Sequence, residues 1–281
     1  MLTTRDLMLG ILLPAALAAA VLTAGWWTTR RRLGHRDGRL WAGPMAIGVG
    51  FGGGWLTLFG REHVPPVDVT GWLFIAMVPL VALASAEAWY RFPPQVRVGA
   101  GVLAVGALFW LLAAPRMSPD NPDRQDTLLV LTVAVPLAVG WIVVTDQMGR
   151  RVSSARLSAI FLATGFAAAW ALGHSGTQRL AQIAAALAAT QGGLLAASLW
   201  LGPSVAGRGV ALVFGVLSGG LLVCGCLYAE LRIGAAFALF VAPCAAWLAE
   251  PWARRLGPRQ TAALQLALVA GTACAAAYLS R

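Results

Sequence analysis

Three carboxylates each lie four residues before an arginine, a spacing that places both side chains on one face of a helix. The pairs are Glu87 with Arg91, Asp146 with Arg150, and Glu250 with Arg254. Such pairs either form a gate or a proton-linked site, or they fix the depth of a helix at the membrane interface. All three lie at the ends of apolar runs, where charged groups reach water and headgroups, so we expect cytoplasmic ion pairs of the second kind.

Uncharged polar side chains lie near the middle of three apolar runs. They are Thr164, Thr190, Gln191 and Ser218. Gln191 carries the group that is costliest to expose to lipid, so we expect it to face another helix or a cavity. These four side chains predict a polar path for a substrate at mid-depth.

Charged groups and known catalytic patterns are missing from these depths. No Asp, Glu, Arg or His lies near the middle of an apolar run, which argues against a proton pump or a carrier built on a central carboxylate. The sequence holds no Ser-His-Asp constellation, phosphate loop or metal-ligand set. We therefore predict no catalytic residue, no metal and no cofactor.

Prolines interrupt four of the apolar runs. They are Pro14, Pro79, Pro136 and Pro243. A proline removes one backbone hydrogen bond and bends its helix. Bent helices with freed carbonyls occur in transporters, although membrane helices in general also tolerate proline. We predict that these four positions act as helix hinges.

The composition shows which elements position these residues. Of 281 residues, 59% are hydrophobic and 11% charged, and the mean hydropathy is +0.73. A soluble domain carries about 25% charged residues. This composition excludes a water-soluble enzyme, a disordered chain and a disulfide scaffold, and it makes the lipid bilayer the solvent of this protein.

Ten apolar runs are long enough to cross a hydrocarbon core about 30 Å thick. They cover residues 7–28, 40–60, 71–90, 97–115, 127–146, 157–173, 180–201, 209–229, 232–250 and 260–279. The connections between them are short. The sequence therefore predicts an all-α polytopic integral membrane bundle of about ten transmembrane helices, with one transmembrane domain over residues 1–281.

All 21 basic residues are arginines, and 14 of them fall in the odd-numbered connections of this threading. The positive-inside rule then places those connections in the cytoplasm and both termini outside. Arg30, Arg31 and Arg32 directly follow the first run and hold its downstream end inside, so we expect a retained helix rather than a cleaved signal peptide. The use of arginine alone is typical of a GC-rich genome and favours a bacterial inner membrane. No basic stripe with interleaved aromatics is present, and we predict no nucleic-acid partner.

Two predicted cytoplasmic connections are nearly identical, RRLGHR at 31–36 and RRLGPR at 254–259, and Arg150, Arg151 and Arg156 form a looser copy. The matching helices suggest a parallel four-helix internal repeat, approximately 36–150 and 156–254. Arginine clusters and runs of small residues also arise in any membrane chain of this composition, so chance similarity remains the alternative.

Ten spans in 281 residues with very short loops resemble the drug/metabolite transporter superfamily in size and helix count. That family has cytoplasmic termini and an inverted repeat, whereas this chain predicts outside termini and a parallel one, so no site residue is transferred. We expect a carrier for a small neutral or amphiphilic solute. The alternatives are a non-catalytic subunit or scaffold, packed against other membrane subunits or in a homo-oligomer, and a membrane-embedded lipid-modifying enzyme.

Overall fold

A computed structural model describes residues 8–33, 41–61, 66, 68–90, 92–202, 209–250 and 257–279. These residues form ten α-helices and no strand, which confirms the all-α prediction and a multi-pass membrane bundle. The helices are α1 (Leu13–Leu33), α2 (Ala42–Phe59), α3 (Val69–Tyr90), α4 (Pro94–Ala113), α5 (Arg124–Arg151), α6 (Ser154–His174), α7 (Gln178–Leu201), α8 (Gly209–Tyr228), α9 (Ile233–Leu248) and α10 (Pro258–Leu279).

Each helix coincides with one predicted span, although several ends differ. Nine described helices are long and apolar enough to cross a membrane, whereas α9 has 16 residues. At 1.5 Å per residue α9 is about 24 Å long, shorter than the hydrocarbon core. In contrast, α5 extends past both ends of its predicted span and has 28 residues.

Helix α8 occupies the centre of the bundle. It packs against seven others, and those seven form a closed ring in the order α2, α3, α4, α5, α9, α6, α7. Its membrane-crossing segment is 89% buried, while that of α10 is 17% buried. Helix α1 packs outside the ring on α2 and α7, and α10 packs outside it on α9 and α6. A helix that is apolar on every side is expected in such a central position.

Glycines let the ring approach α8 closely. A Cβ at Gly215 would overlap the indole ring of Trp141 on α5. A Cβ at Gly220 would lie 2.6 Å from Leu73 on α3 and 3.0 Å from Leu108 on α4. Small residues at such positions bring helix backbones together in a membrane, where dispersion contacts drive association.

Contacts near the helix ends show which connections lie at the same end of the bundle. The start of α8 at Gly209 meets Pro44 at the start of α2 and Ala84 near the end of α3. At the opposite end, Arg179 of α7 pairs with Asp68, just before α3. We call the first end, which holds the odd-numbered connections, the odd end, and the second the even end. This separation agrees with the predicted threading, while the side of the membrane that each end faces stays a prediction.

The predicted repeat would make α4 the counterpart of α8. The two helices have different surroundings, since α8 is enclosed and the membrane-crossing segment of α4 is 33% buried. The repeat therefore stays a prediction from the sequence.

Candidate functional site

Two of the four predicted path residues line one cavity in the middle of the bundle. This deep cavity has a volume of about 20 Å³. Its lining residues are Trp141, Thr164, Gly165, Ala168, Gly215, Ser218, Gly219, Leu222, Leu239 and Phe240. A space of that size accommodates about one water molecule.

Two hydroxyl groups of the deep cavity keep acceptor capacity. The Thr164 hydroxyl donates to the Ile160 carbonyl at 2.9 Å, and the Ser218 hydroxyl donates to the Phe214 carbonyl at 2.7 Å. Each hydroxyl proton is thereby used within its own helix, and the oxygen lone pairs remain. Trp141, whose indole N–H is a donor, also lines the cavity. The Thr164 and Ser218 oxygens are therefore suited to a group that donates hydrogen bonds.

Aromatic rings close one side of the deep cavity. The Phe161 and Phe214 rings stack with centroids 4.6 Å apart, and Trp141 lies 5.6 Å from Phe161 and 6.0 Å from Phe214. Trp141 occupies the space left by the missing side chain of Gly215. This packing fixes the Trp141 ring against α8, so that part of the cavity wall is rigid.

Gln191 is fully buried in the middle of α7. Among the described residues, neither its Oε1 nor its Nε2 has a hydrogen-bond partner. An unpaired amide in an apolar interior destabilises the folded protein by about 1–3 kcal/mol. The structure thus confirms that Gln191 avoids lipid, but it leaves the amide without the partner that such a position normally has.

Thr190 lies away from the deep cavity. Its hydroxyl donates to the Ala186 carbonyl at 2.8 Å. Its methyl group packs against α2, since a Cβ at Gly50 would lie 2.9 Å from it. The structure therefore brings Thr164 and Ser218 together and separates Thr190 from them.

A larger cavity opens at the odd end between α6, α7 and α10. This odd-end cleft has a volume of about 180 Å³ and is lined by Ala155, Arg156, Ala159, Ile160, Leu195, Leu199, Ala262, Gln265 and Leu266. Gln265 is 1% exposed, and its Oε1 has no hydrogen-bond partner in the described ranges. Sequence reasoning missed Gln265, although it lies in a predicted span just as Gln191 does.

The two cavities lie along one row of α6 residues spaced four apart. Arg156 and Ile160 line the odd-end cleft, and Thr164 and Ala168 line the deep cavity. Residues at that spacing share one face of a helix. On α7, Gln191 precedes the cleft residue Leu195 by one turn, which places it between the cleft and the middle of the bundle.

The carboxylates at the odd end have partners that sequence spacing does not predict. Glu87 Oε1 pairs with Arg97 Nη1 at 2.9 Å across α3 and α4, and both side chains are about nine-tenths buried. Glu250 Oε2 accepts from Gln265 Nε2 at 3.4 Å. Arg91 and Arg254 lie outside the described residues. The side chains of Asp146 and Arg150 are also outside the described part, so those predicted pairs stay predictions.

The four predicted hinge prolines have two kinds of position. Pro14 is the second residue of α1, and α1 directly follows a π-helical turn, Met8–Leu12. Pro79, Pro136 and Pro243 lie inside α3, α5 and α9. Pro14 and Pro243 are buried, whereas Pro79 and Pro136 are exposed.

Within the described residues, no group of three or more His, Cys, Asp or Glu side chains is placed to hold a metal ion. No protein-family model, curated protein or solved structure matches this chain.

Proposed function

We propose that this protein is a carrier for a small neutral or amphiphilic solute. The observation that carries the proposal is Gln191, fully buried at mid-depth with neither amide atom paired. In a bilayer interior, polar groups without partners are costly and are retained where a function uses them. A solute that exchanges hydrogen bonds with the Gln191 amide would satisfy both of its polar atoms.

The deep cavity supports the same proposal. It offers the acceptor oxygens of Thr164 and Ser218 within an apolar wall, which suits a solute with one or two donor groups and little charge. Its present volume of about 20 Å³ is too small for such a solute. The carrier therefore has to widen this cavity during transport, as alternating access between two sides of a membrane requires.

Accessibility of the deep cavity to reagents in water tests the proposal. The four native cysteines (Cys224, Cys226, Cys244 and Cys274) are replaced by alanine, and Thr164→Cys or Ser218→Cys is introduced singly. Sealed vesicles are then treated on either side with a small membrane-impermeant thiol reagent. A carrier that opens to both sides alternately predicts labelling of both positions from both sides.

Thr132→Cys is the matched control for this experiment. Thr132 lies in α5, makes the same bond to the carbonyl four residues back at 2.7 Å, and faces outward. It is therefore expected to stay unlabelled within lipid. If Thr164→Cys and Ser218→Cys also stay unlabelled from both sides, the carrier proposal is wrong.

A non-catalytic subunit or scaffold is the second candidate, and α10 favours it. The outward face of α10 exposes small residues four apart, Ala267, Gly271 and Ala275. That spacing permits close approach of another transmembrane helix. Stoichiometric copurification of a membrane partner, lost in an Ala267→Leu variant, would support this candidate.

A further inference from the structure

We infer that the odd-end cleft is a binding site for one phospholipid with an ethanolamine headgroup. The site does not depend on solute transport, because it lies at the bundle surface and shares no lining residue with the deep cavity.

The walls of the cleft suit an acyl chain. Apart from Arg156 and Gln265, every lining residue is Ala, Ile or Leu. The cleft also reaches the outer surface of the bundle, where Leu199 is 71% exposed and Leu266 is 38% exposed. In a membrane this surface faces lipid, so a chain can enter from the side and bury its carbons against α6, α7 and α10.

Arg156 supplies a site for the phosphate. It lies in the first turn of α6, where the positive end of the helix dipole adds to its charge. The structure shows no ion pair between its guanidinium and another described side chain. Guanidinium groups bind phosphate oxygens through two parallel hydrogen bonds. Basic residues between transmembrane helices at a membrane surface bind lipid headgroups in this way.

Gln265 and Glu250 are suited to bind a positively charged hydrogen-bond donor beside that phosphate. Gln265 donates through Nε2 to the Glu250 carboxylate, which leaves its buried Oε1 with an unmet acceptor. A primary ammonium has three N–H donors and a positive charge, so it can serve Oε1 and the carboxylate together. A phosphate near Arg156 and an ammonium near Glu250 are the two charges of an ethanolamine headgroup.

Lipid retention by the purified full-length protein tests this site. The protein is placed in nanodiscs with equal amounts of phosphatidylethanolamine, phosphatidylcholine and phosphatidylglycerol of identical acyl chains, and lipids that survive a detergent wash are counted by native mass spectrometry. We expect one retained phosphatidylethanolamine, favoured over phosphatidylcholine by roughly tenfold, because the quaternary ammonium of choline cannot donate a hydrogen bond.

Two variants and two controls locate the site. Arg156→Gln removes the phosphate ligand and is expected to lower retention by roughly tenfold. Ala262→Phe fills the cleft and is expected to abolish retention. Arg232→Gln changes an exposed arginine at the even end, and Ala267→Phe adds the same ring on the outward face of α10, so both are expected to retain lipid.

Three results would overturn the inference. Equal retention of ethanolamine and choline lipids would show that the site does not use hydrogen-bond donors of the headgroup. Preferential retention of phosphatidylglycerol would show that the site selects lipids with a net negative charge. Unchanged retention in Arg156→Gln and Ala262→Phe places any bound lipid elsewhere. Because Arg156→Gln leaves the cleft walls intact, it remains informative if Ala262→Phe fails to fold.

Discussion

A glutamine enclosed by apolar helices loses its hydrogen bonds to water, and Gln191 has no replacement for them in the part of the chain that the structure describes. Two explanations differ in what they predict for stability. If the amide binds a solute, the solute-free protein holds an unpaired polar group, and removing that group should stabilise it. If the amide instead stabilises the folded bundle, removing it should lower the stability.

Gln191→Leu separates these explanations, because leucine has a similar size and no polar atom. We expect the apparent Tm in detergent to be equal or higher, since removal of an unpaired buried amide gains about 1–3 kcal/mol. Thr190→Val is the control, because its hydroxyl already bonds to the Ala186 carbonyl and no such gain is available. A lower Tm for Gln191→Leu would show that the amide stabilises the fold.

The buried pair of Glu87 and Arg97 gives a second prediction about single residues. Glu87→Gln leaves a buried guanidinium with less charge compensation, and we expect a loss of about 3–5 kcal/mol in thermal or chemical unfolding. The double variant Glu87→Gln/Arg97→Gln is expected to recover part of that loss. Asp123→Asn, in the more exposed pair with Arg116, is expected to cost less than about 1 kcal/mol.

The pair prediction fails if Glu87→Gln costs no more than Asp123→Asn. It also fails if the double variant is less stable than Glu87→Gln alone, because Arg97 would then stabilise the protein even without the Glu87 carboxylate.

For single residues, burial was predictable from the sequence, whereas contacts between helices were not. The cost of a polar group in lipid depends on the residue type and its depth, and both can be read from the sequence, so the burial of Gln191 was predictable. The same rule applies to Gln265. The partner of Glu87 was not predictable, because Arg97 is on the next helix and the i+4 rule describes one helix only.

At the scale of elements, α1 and α7 are in backbone contact. A Cβ at Gly193 would overlap the carbonyl group of Ala15. Backbone cannot move aside as a flexible side chain can, so the two helices have to separate to admit even a methyl group. This contact lies beside Gln191 and next to the π-helical turn that precedes Pro14.

Gly193→Ala is therefore expected to lower the apparent Tm by several degrees, as overpacking costs about 1–3 kcal/mol. Gly140→Ala is the matched control, because nothing lies within 4 Å of its added Cβ. That control is expected to be neutral or to stabilise α5 by up to about 1 kcal/mol. Equal effects of the two variants would show that α1 and α7 are not in close contact.

The number of helices was predictable because the length of an apolar run is a local property of the sequence. The exact length of α9 was less so, because hydropathy does not show where a chain turns. Glu230 has φ of 53° in the turn after α8, and the Leu231 N–H bonds to the Gly225 carbonyl at 3.0 Å. This turn covers residues 229–232, of which the predicted spans include 229 and 232.

At the scale of the whole molecule, the arginine distribution predicts that both termini are outside the cytoplasm. Reporter fusions at each end should both give the signal of a translocated domain. Neutralising the arginines from Arg30 to Arg39 together is expected to reduce this bias, whereas neutralising Arg232 is not. A cytoplasmic signal from the C-terminal fusion would contradict the threading.

The central position of α8 was not predictable from its hydropathy, since the α5 segment has a mean hydropathy of 2.5 and the α8 segment 2.4. The glycines of α8 lie on several of its faces and admit side chains from different neighbours, but the glycines of α2 do the same. Glycines therefore indicate a central helix only when the surrounding helices are known, because small residues also form contacts at the surface of a bundle.

The enclosure of α8 also has a consequence for biosynthesis. A ribosome makes the chain from its N-terminus, so six of the seven helices that enclose α8 enter the bilayer before it, and only α9 follows. Until Tyr228 has been inserted, the inward faces of α2 to α7 have only lipid or one another to contact. The nascent protein is therefore an incomplete ring through most of its synthesis, and a chain released before Gly209 is expected to be recognised and degraded by membrane quality control.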